Sequence, residues 1–96
     1  MRRFYLVSYD IVDDKRRNRV FRTLMDFGDR VQYSVFCCQL SERELLNLKE
    51  KLRARIHMTE DQVLFVDAGP VSSSRPMPEF EYIGRTWAPE PRVQII

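Results

Sequence analysis

Glycine, histidine, cysteine and long apolar runs are all scarce in this sequence, and each shortage excludes something. Three glycines in 96 residues leave little room for a glycine-rich phosphate cradle, and neither a P-loop nor a nucleophile elbow occurs. The one histidine, His57, follows the second helical stretch, before Met58-Thr59-Glu60. It is placed to meet the last carbonyls of that helix, which argues against histidine general-base chemistry. Cys37 and Cys38, the two cysteines, are adjacent, a spacing that fits neither a CxxC redox pair nor a metal site. Neighbouring strand residues point to opposite faces, so one thiol is expected in the core and the other on the reverse side. No apolar run approaches the ~20 residues of a membrane helix. The N-terminal stretch Phe4-Tyr5-Leu6-Val7 is cut short by Asp10, with no small-residue cleavage site behind it. A cytoplasmic protein with no membrane partner is the expectation. Ninety-six residues make one domain, far below the about 250 needed for an eight-unit βα barrel.

A large net charge is missing as well, since 16 Lys+Arg stand against 14 Asp+Glu to leave +2. That total conceals a gradient: net +3 over residues 1–30, +1 over 31–60 and −2 over 61–96. Thirteen of the basic side chains are arginine, whose planar fork of donors suits phosphate where lysine is a point charge. Lys15-Arg16-Arg17-Asn18-Arg19 is therefore a candidate phosphate-contacting surface. The alternative is a solvated helix face balanced by Asp13 and Asp14.

What the sequence does contain is strong periodicity. Residues 3–11 form a near-continuous apolar run, the pattern of an interior strand covered on both faces. Asp13 or Asp14 then caps a helix over about 14–27, with Val20, Leu24 and Phe27 on its buried stripe, joined by Phe21. Gly28 is expected to stop it in a left-handed C-cap. Period two follows from Val31 to Leu40, as one strand or as two short ones around a bend. Ser41-Glu42-Arg43-Glu44 is a capping box opening a second helix over about 42–56, with Leu45, Leu48, Leu52 and Ile56 facing inward. Gln62 to Ala68 is the next strand, ended by Gly69-Pro70. All five prolines come after residue 69, marking a loop, a short strand at about 79–84 and a strand-like tail, Arg92-Val93-Gln94-Ile95-Ile96.

Two helices over one face of a four-stranded antiparallel sheet fit this order, an α+β domain of the ferredoxin-like βαββαβ type with an extra C-terminal strand. Residues 1–68 make its core, and residues 69–96 supply the loop, the strand at 79–84 and the tail. The other face of the sheet is left uncovered, yet Tyr5, Val7, Tyr9 and Phe36, or their opposite-facing neighbours, make it apolar. A second copy packed face to face in a two-fold homodimer covers it most simply, with the apolar tail available for strand exchange onto the partner's sheet edge. Trp87, set between prolines, is read as a packing anchor for a partner.

The run Tyr9-Asp10-Ile11-x-Asp13-Asp14-x-x-Arg17-Asn18-Arg19, then Gly28 and Arg30-Val31-Gln32-Tyr33-Ser34-Val35-Phe36, resembles the small CRISPR-associated "Cas two" family in order and spacing over residues 1 to about 68. The resemblance implies a ferredoxin-like homodimer that takes part in acquiring new spacer DNA, bridging dimers of the CRISPR-associated integrase. It also implies a metal-dependent endonuclease acting on single-stranded RNA or double-stranded DNA, with Mg2+ as cofactor. Carried over by position, Asp10 would be the metal ligand, and Tyr9, Arg17, Arg19, Arg30 and Phe36 the residues implicated in activity. One departure is Cys37, where many relatives carry an acid.

Phosphodiester hydrolysis at magnesium needs oxygen ligands, an activated water and positive charge for the developing phosphorane. One carboxylate is a poor magnesium site, whereas two Asp10 residues meeting at a dimer axis make a better one. Against this stands the reading that Asp10 merely caps the strand-to-helix turn with Asp13. Tyr9 and Phe36 are candidates either for stacking on unpaired bases or for packing across the dimer interface. Arg16, Arg17, Arg19, Arg22 and Arg30 are the candidate nucleic-acid contacts. Two functions remain open at this point: a metal-dependent nuclease centred on paired Asp10, and a non-catalytic dimeric scaffold that positions DNA for the integrase.

Overall fold

The computed structural model describes residues 1–74 and 77–86. Six elements follow one another: β1 (Arg3–Asp10), α1 (Asp14–Met25), β2 (Gly28–Gln32), β3 (Val35–Leu40), α2 (Glu42–Arg53) and β4 (Gln62–Pro70). The strands form one antiparallel sheet in the order β2-β3-β1-β4, so the apolar β1 is interior, as its composition predicts. Both helices cover the same face, giving the two-layer ferredoxin-like α+β arrangement.

The local signals that start each helix are those in the sequence. Asp13 accepts from the Arg16 backbone N–H at 2.9 Å, and Ser41 and Glu44 exchange capping-box bonds of 2.8 and 3.2 Å. Such caps satisfy otherwise orphaned N–H groups and contribute about 1 kcal/mol each. Val20, Thr23 and Leu24 of α1 and Leu48 and Leu52 of α2 are buried against Val7, Tyr9, Phe36, Cys38 and Leu40 of the sheet. Each fully buried large apolar side chain stabilises by roughly 1.5–3 kcal/mol, so this single seam between helices and sheet holds the domain together. Cys38 lies in that core, while Cys37 is buried on the reverse face near Phe4 and Met77. Burial pushes the Cys37 thiol up and that of Cys38 up to about 12, which leaves neither as a nucleophile at neutral pH.

Three expectations are corrected. The period-two stretch, open to being one strand or two, is a hairpin of two strands turning at Tyr33-Ser34, and it begins at Gly28 rather than at the expected Val31. Gly28 is no left-handed cap: α1 closes on Asp26 in the right-handed region, and the positive-φ glycines are Gly69 and Gly84. Glycine is needed at 28 because a Cβ there would lie 2.6 Å from Cys38 Sγ and 2.9 Å from Cys38 Cα. The strand expected at about 79–84 is absent, because Gln62–Pro70 already occupies the fourth place beside β1. The expected tail strand at 92–96 and Trp87 lie outside the described residues.

Alternation along the strands settles which face is which. Tyr5, Val7, Tyr9 and Phe36 pack on the helix side. Away from the end where Phe4 and Cys37 are buried, the reverse face is open and presents Leu6, Ser8 and Asp10 of β1, in register with Val66, Leu64 and Gln62 of β4. Leu64 and Val66 are 53% and 45% exposed, so the apolar character of the uncovered face comes from the opposite-facing neighbours. No helix among the described residues is long and apolar enough to cross a membrane.

Candidate functional site

The geometry gathers around the C-terminal end of β1. Asp10 is its last residue, exposed and on the open face. Its carboxylate makes no hydrogen bond or ion pair among the described residues, and Asp13 is the residue that caps α1. The loop behind it is tied down by arginine. Arg17 pairs with Asp14 at 2.6 Å and donates through Nη2 to the Ile11 carbonyl at 2.9 Å.

Tyr9 and Phe36 sit beneath this surface rather than on it. Tyr9 is 6% exposed and Phe36 fully buried, with ring centroids 6.4 Å apart, and Phe21 tilts against Phe36 at 5.9 Å. Both the base-stacking and the dimer-interface readings fail for these residues, because neither reaches solvent. Their rings fill the core under the hairpin. Burial pushes the Tyr9 phenol up, against the opposing pull of the nearby Arg30 and Arg17 guanidiniums.

Arg30 is held by the hairpin. Its guanidinium carbon lies 4.6 Å from the Phe21 ring centroid and 5.1 Å from that of Tyr33. Nε and Nη2 both donate to the Tyr33 carbonyl, at 2.9 and 2.6 Å. Arg16, a candidate phosphate contact, is instead committed within the fold. It pairs with Asp61 at 2.8 Å and Glu60 at 3.0 Å. Lys15, Arg19 and Arg22 are exposed at three- and four-residue spacing on one face of α1 and form no ion pair among the described residues.

Two residues matter here that sequence reasoning passed over. The Asp61 carboxylate is shielded from solvent and accepts the Val12 N–H at 3.0 Å and the His57 N–H at 2.8 Å as well as Arg16. It ties the loop after Asp10 to the turn before β4, and the Arg16 guanidinium beside it holds it far below the usual carboxylate range. No local pattern signals this role, because its partners Val12 and Arg16 stand 49 and 45 residues away. Tyr33 is the other; its place at the tip of a hairpin was hidden while the stretch was open to being one strand. The His57 ring meets Thr59 Oγ1 at 3.1 Å rather than the helix carbonyls.

Among the described residues no group of three or more His, Cys, Asp or Glu side chains could hold a metal ion. Asp10 brings one carboxylate, so the donor set of one chain is incomplete for magnesium. Its position on the open face leaves it accessible to a second copy.

These features define a class: a small ferredoxin-like domain with an exposed aspartate at the end of an interior strand and arginines binding the loop behind it. The family described as CRISPR associated protein Cas2 matches residues 1–74, and the chain belongs to it. It is 34% identical over 96 residues to a CRISPR-associated endoribonuclease Cas2 of Geobacter sulfurreducens, covering 100% of this chain and 99% of that one. The fold superposes with a TM-score of 0.74 on a Thermus thermophilus crystal structure described as a hypothetical protein, at 36% identity over 94% of this chain and 100% of that one. Streptococcus pyogenes Cas2 gives a TM-score of 0.62 at 32% identity, covering 66% and 82% of the two chains.

Proposed function

We propose that the chain works as a face-to-face homodimer in the acquisition of new CRISPR spacers, and that it is a metal-dependent endonuclease with its centre at paired Asp10 carboxylates. The observation that carries this reading is Asp10 itself, an exposed, unpaired carboxylate on the uncovered sheet face, beside a loop that Arg17 and Asp61 hold rigid. Apolar Leu64 and Val66 on the same face supply surface that a second copy would bury, and two-fold symmetry would bring the Asp10 residues together. A bound Mg2+ would polarise the phosphodiester and supply an activated water. The chain's own residues do the remaining work: Asp10 holds the cation, and Arg17 fixes the loop that aims Asp10.

A second reading is favoured by the exposed stripe of Lys15, Arg19 and Arg22, which suits the phosphates of duplex DNA without any catalysis. On that reading the dimer is a scaffold that positions DNA for the integrase. Cleavage of RNA and of duplex DNA with magnesium, comparing wild type with Asp10→Ala, separates the two. Activity in the wild type that the substitution abolishes supports the nuclease. Inactivity of both proteins, with duplex binding intact and steeply salt-dependent, supports the scaffold.

A further inference from the structure

Tyr33 occupies the tip of the β2–β3 hairpin and is 64% exposed. One face of its ring lies against Arg30, 5.1 Å from the centroid, so the other face is the one presented to solvent. The guanidinium beneath the ring is held in place, because Arg30 also donates two hydrogen bonds to the Tyr33 carbonyl and is itself backed by Phe21. Beside it is a hollow of about 160 Å³ lined by Gln32, Tyr33, Tyr82, Arg85 and Thr86. Its far wall is anchored by Tyr82, whose hydroxyl donates to the Val31 carbonyl at 2.6 Å.

We propose that this hollow binds one unpaired nucleobase of a single-stranded nucleic acid, stacked on the open face of Tyr33. The lining suits a nucleotide part by part: the Tyr33 ring as an aromatic platform for the base, the Gln32 amide as donor and acceptor for its edge, and the Arg85 guanidinium for a phosphate. A base within a duplex has neighbours on both of its faces and cannot enter. The hairpin that carries the hollow is tied to the end of β1, where the Tyr9 N–H donates to the Ser34 carbonyl at 3.1 Å. The inference adds a base-binding position on the β2–β3 hairpin to the nuclease reading, and it rests on that reading for any link to Asp10.

The test is binding without cleavage. Short RNA and DNA strands of one sequence, each carrying 2-aminopurine, are titrated with the full chain in EDTA, alongside a blunt duplex of the same length. Wild type should alter the 2-aminopurine emission on binding. Tyr33→Ala should weaken single-strand affinity by roughly 5- to 100-fold and leave duplex affinity unchanged, while Tyr33→Trp keeps both. A loss confined to RNA or to DNA supports the site and identifies the sugar it takes. Undiminished affinity of Tyr33→Ala for both strands overturns the proposal, as does an equal loss for strand and duplex, which would mean that the ring only holds the hairpin. Because EDTA removes cleavage from the readout, a chain that stacks through Tyr33 but never cuts refutes the nuclease and not this site.

Discussion

Replacing Gly28 by alanine is the sharpest test of how the hairpin is built. Gly28 opens β2 opposite Cys38 of β3, where the two backbones run closer than any Cβ allows. An alanine methyl would lie 2.6 Å from Cys38 Sγ and 2.9 Å from Cys38 Cα, and would also press on the Cys37 carbonyl oxygen. Two of these three atoms are backbone and cannot rotate away, so the strands must part at this end. Overpacking of this kind costs about 1–3 kcal/mol, and weakening one ladder bond adds about 1 kcal/mol. Losing a flexible glycine offsets roughly 0.5–1 kcal/mol through the unfolded chain. The balance is about 2 kcal/mol, which for a domain of this size lowers Tm by ~8–16 °C. Urea unfolding followed by circular dichroism measures it directly. Repeating the substitution in a Cys38→Ala background isolates the cause, because that change removes the sulfur and leaves both backbone obstacles. The penalty should stay above ~1 kcal/mol there. A Gly28→Ala chain as stable as wild type, or full recovery in the Cys38→Ala background, would refute close backbone approach as the reason for glycine.

The other expectations can be checked with comparable effort. Asp61, held down first by Arg16 and then by the His57 and Val12 N–H groups, contributes stability that is fully present above its unfolded pKa of about 3.9 and lost as pH falls toward its folded value. An acid titration should therefore show unfolding begin below about pH 4, and Asp61→Asn should be less stable at pH 7 with a flatter acid limb; an unchanged limb counts against the assignment. Ser41→Ala should cost ~1 kcal/mol in the same urea assay, by leaving the Glu44 N–H without its partner. Asp10→Ala should leave stability within ~0.5 kcal/mol of wild type while abolishing magnesium-dependent cleavage, and a large loss of stability would show that Asp10 is structural.

Most of the secondary structure was legible because it is encoded locally. The apolar run of β1, both N-caps and the inward Val20, Leu24, Leu48 and Leu52 depend on residues within a few positions of each other and stand where the pattern puts them, whereas the helices end early, at Met25 and Arg53, and leave Phe27 and Ile56 beyond their ends. The errors fell where partners are distant in the chain. Gly28 reads as a helix cap because it follows α1, yet its reason is Cys38 across the hairpin. Residues 79–84 read as a strand by pattern, although β1 pairs on that side with Gln62–Pro70.

The candidate site divides the same way. The motif singles out Asp10, and the fold leaves it exposed on the open face. Tyr9 and Phe36 of the same motif are taken up in the core beneath the hairpin, and Arg16, a candidate phosphate contact outside the motif, is taken up in an ion pair with Asp61. Asp61 carries no sequence signal, since its partners Val12 and Arg16 lie more than 40 residues away, and Tyr33 stands in the motif without a role there, because its exposure is set by a turn. By itself the sequence determined the helices, the strands and the family motif, because periodicity, capping and spacing are short-range properties. Only the tertiary structure decided which motif residues face solvent, because exposure depends on which strands and helices lie against one another.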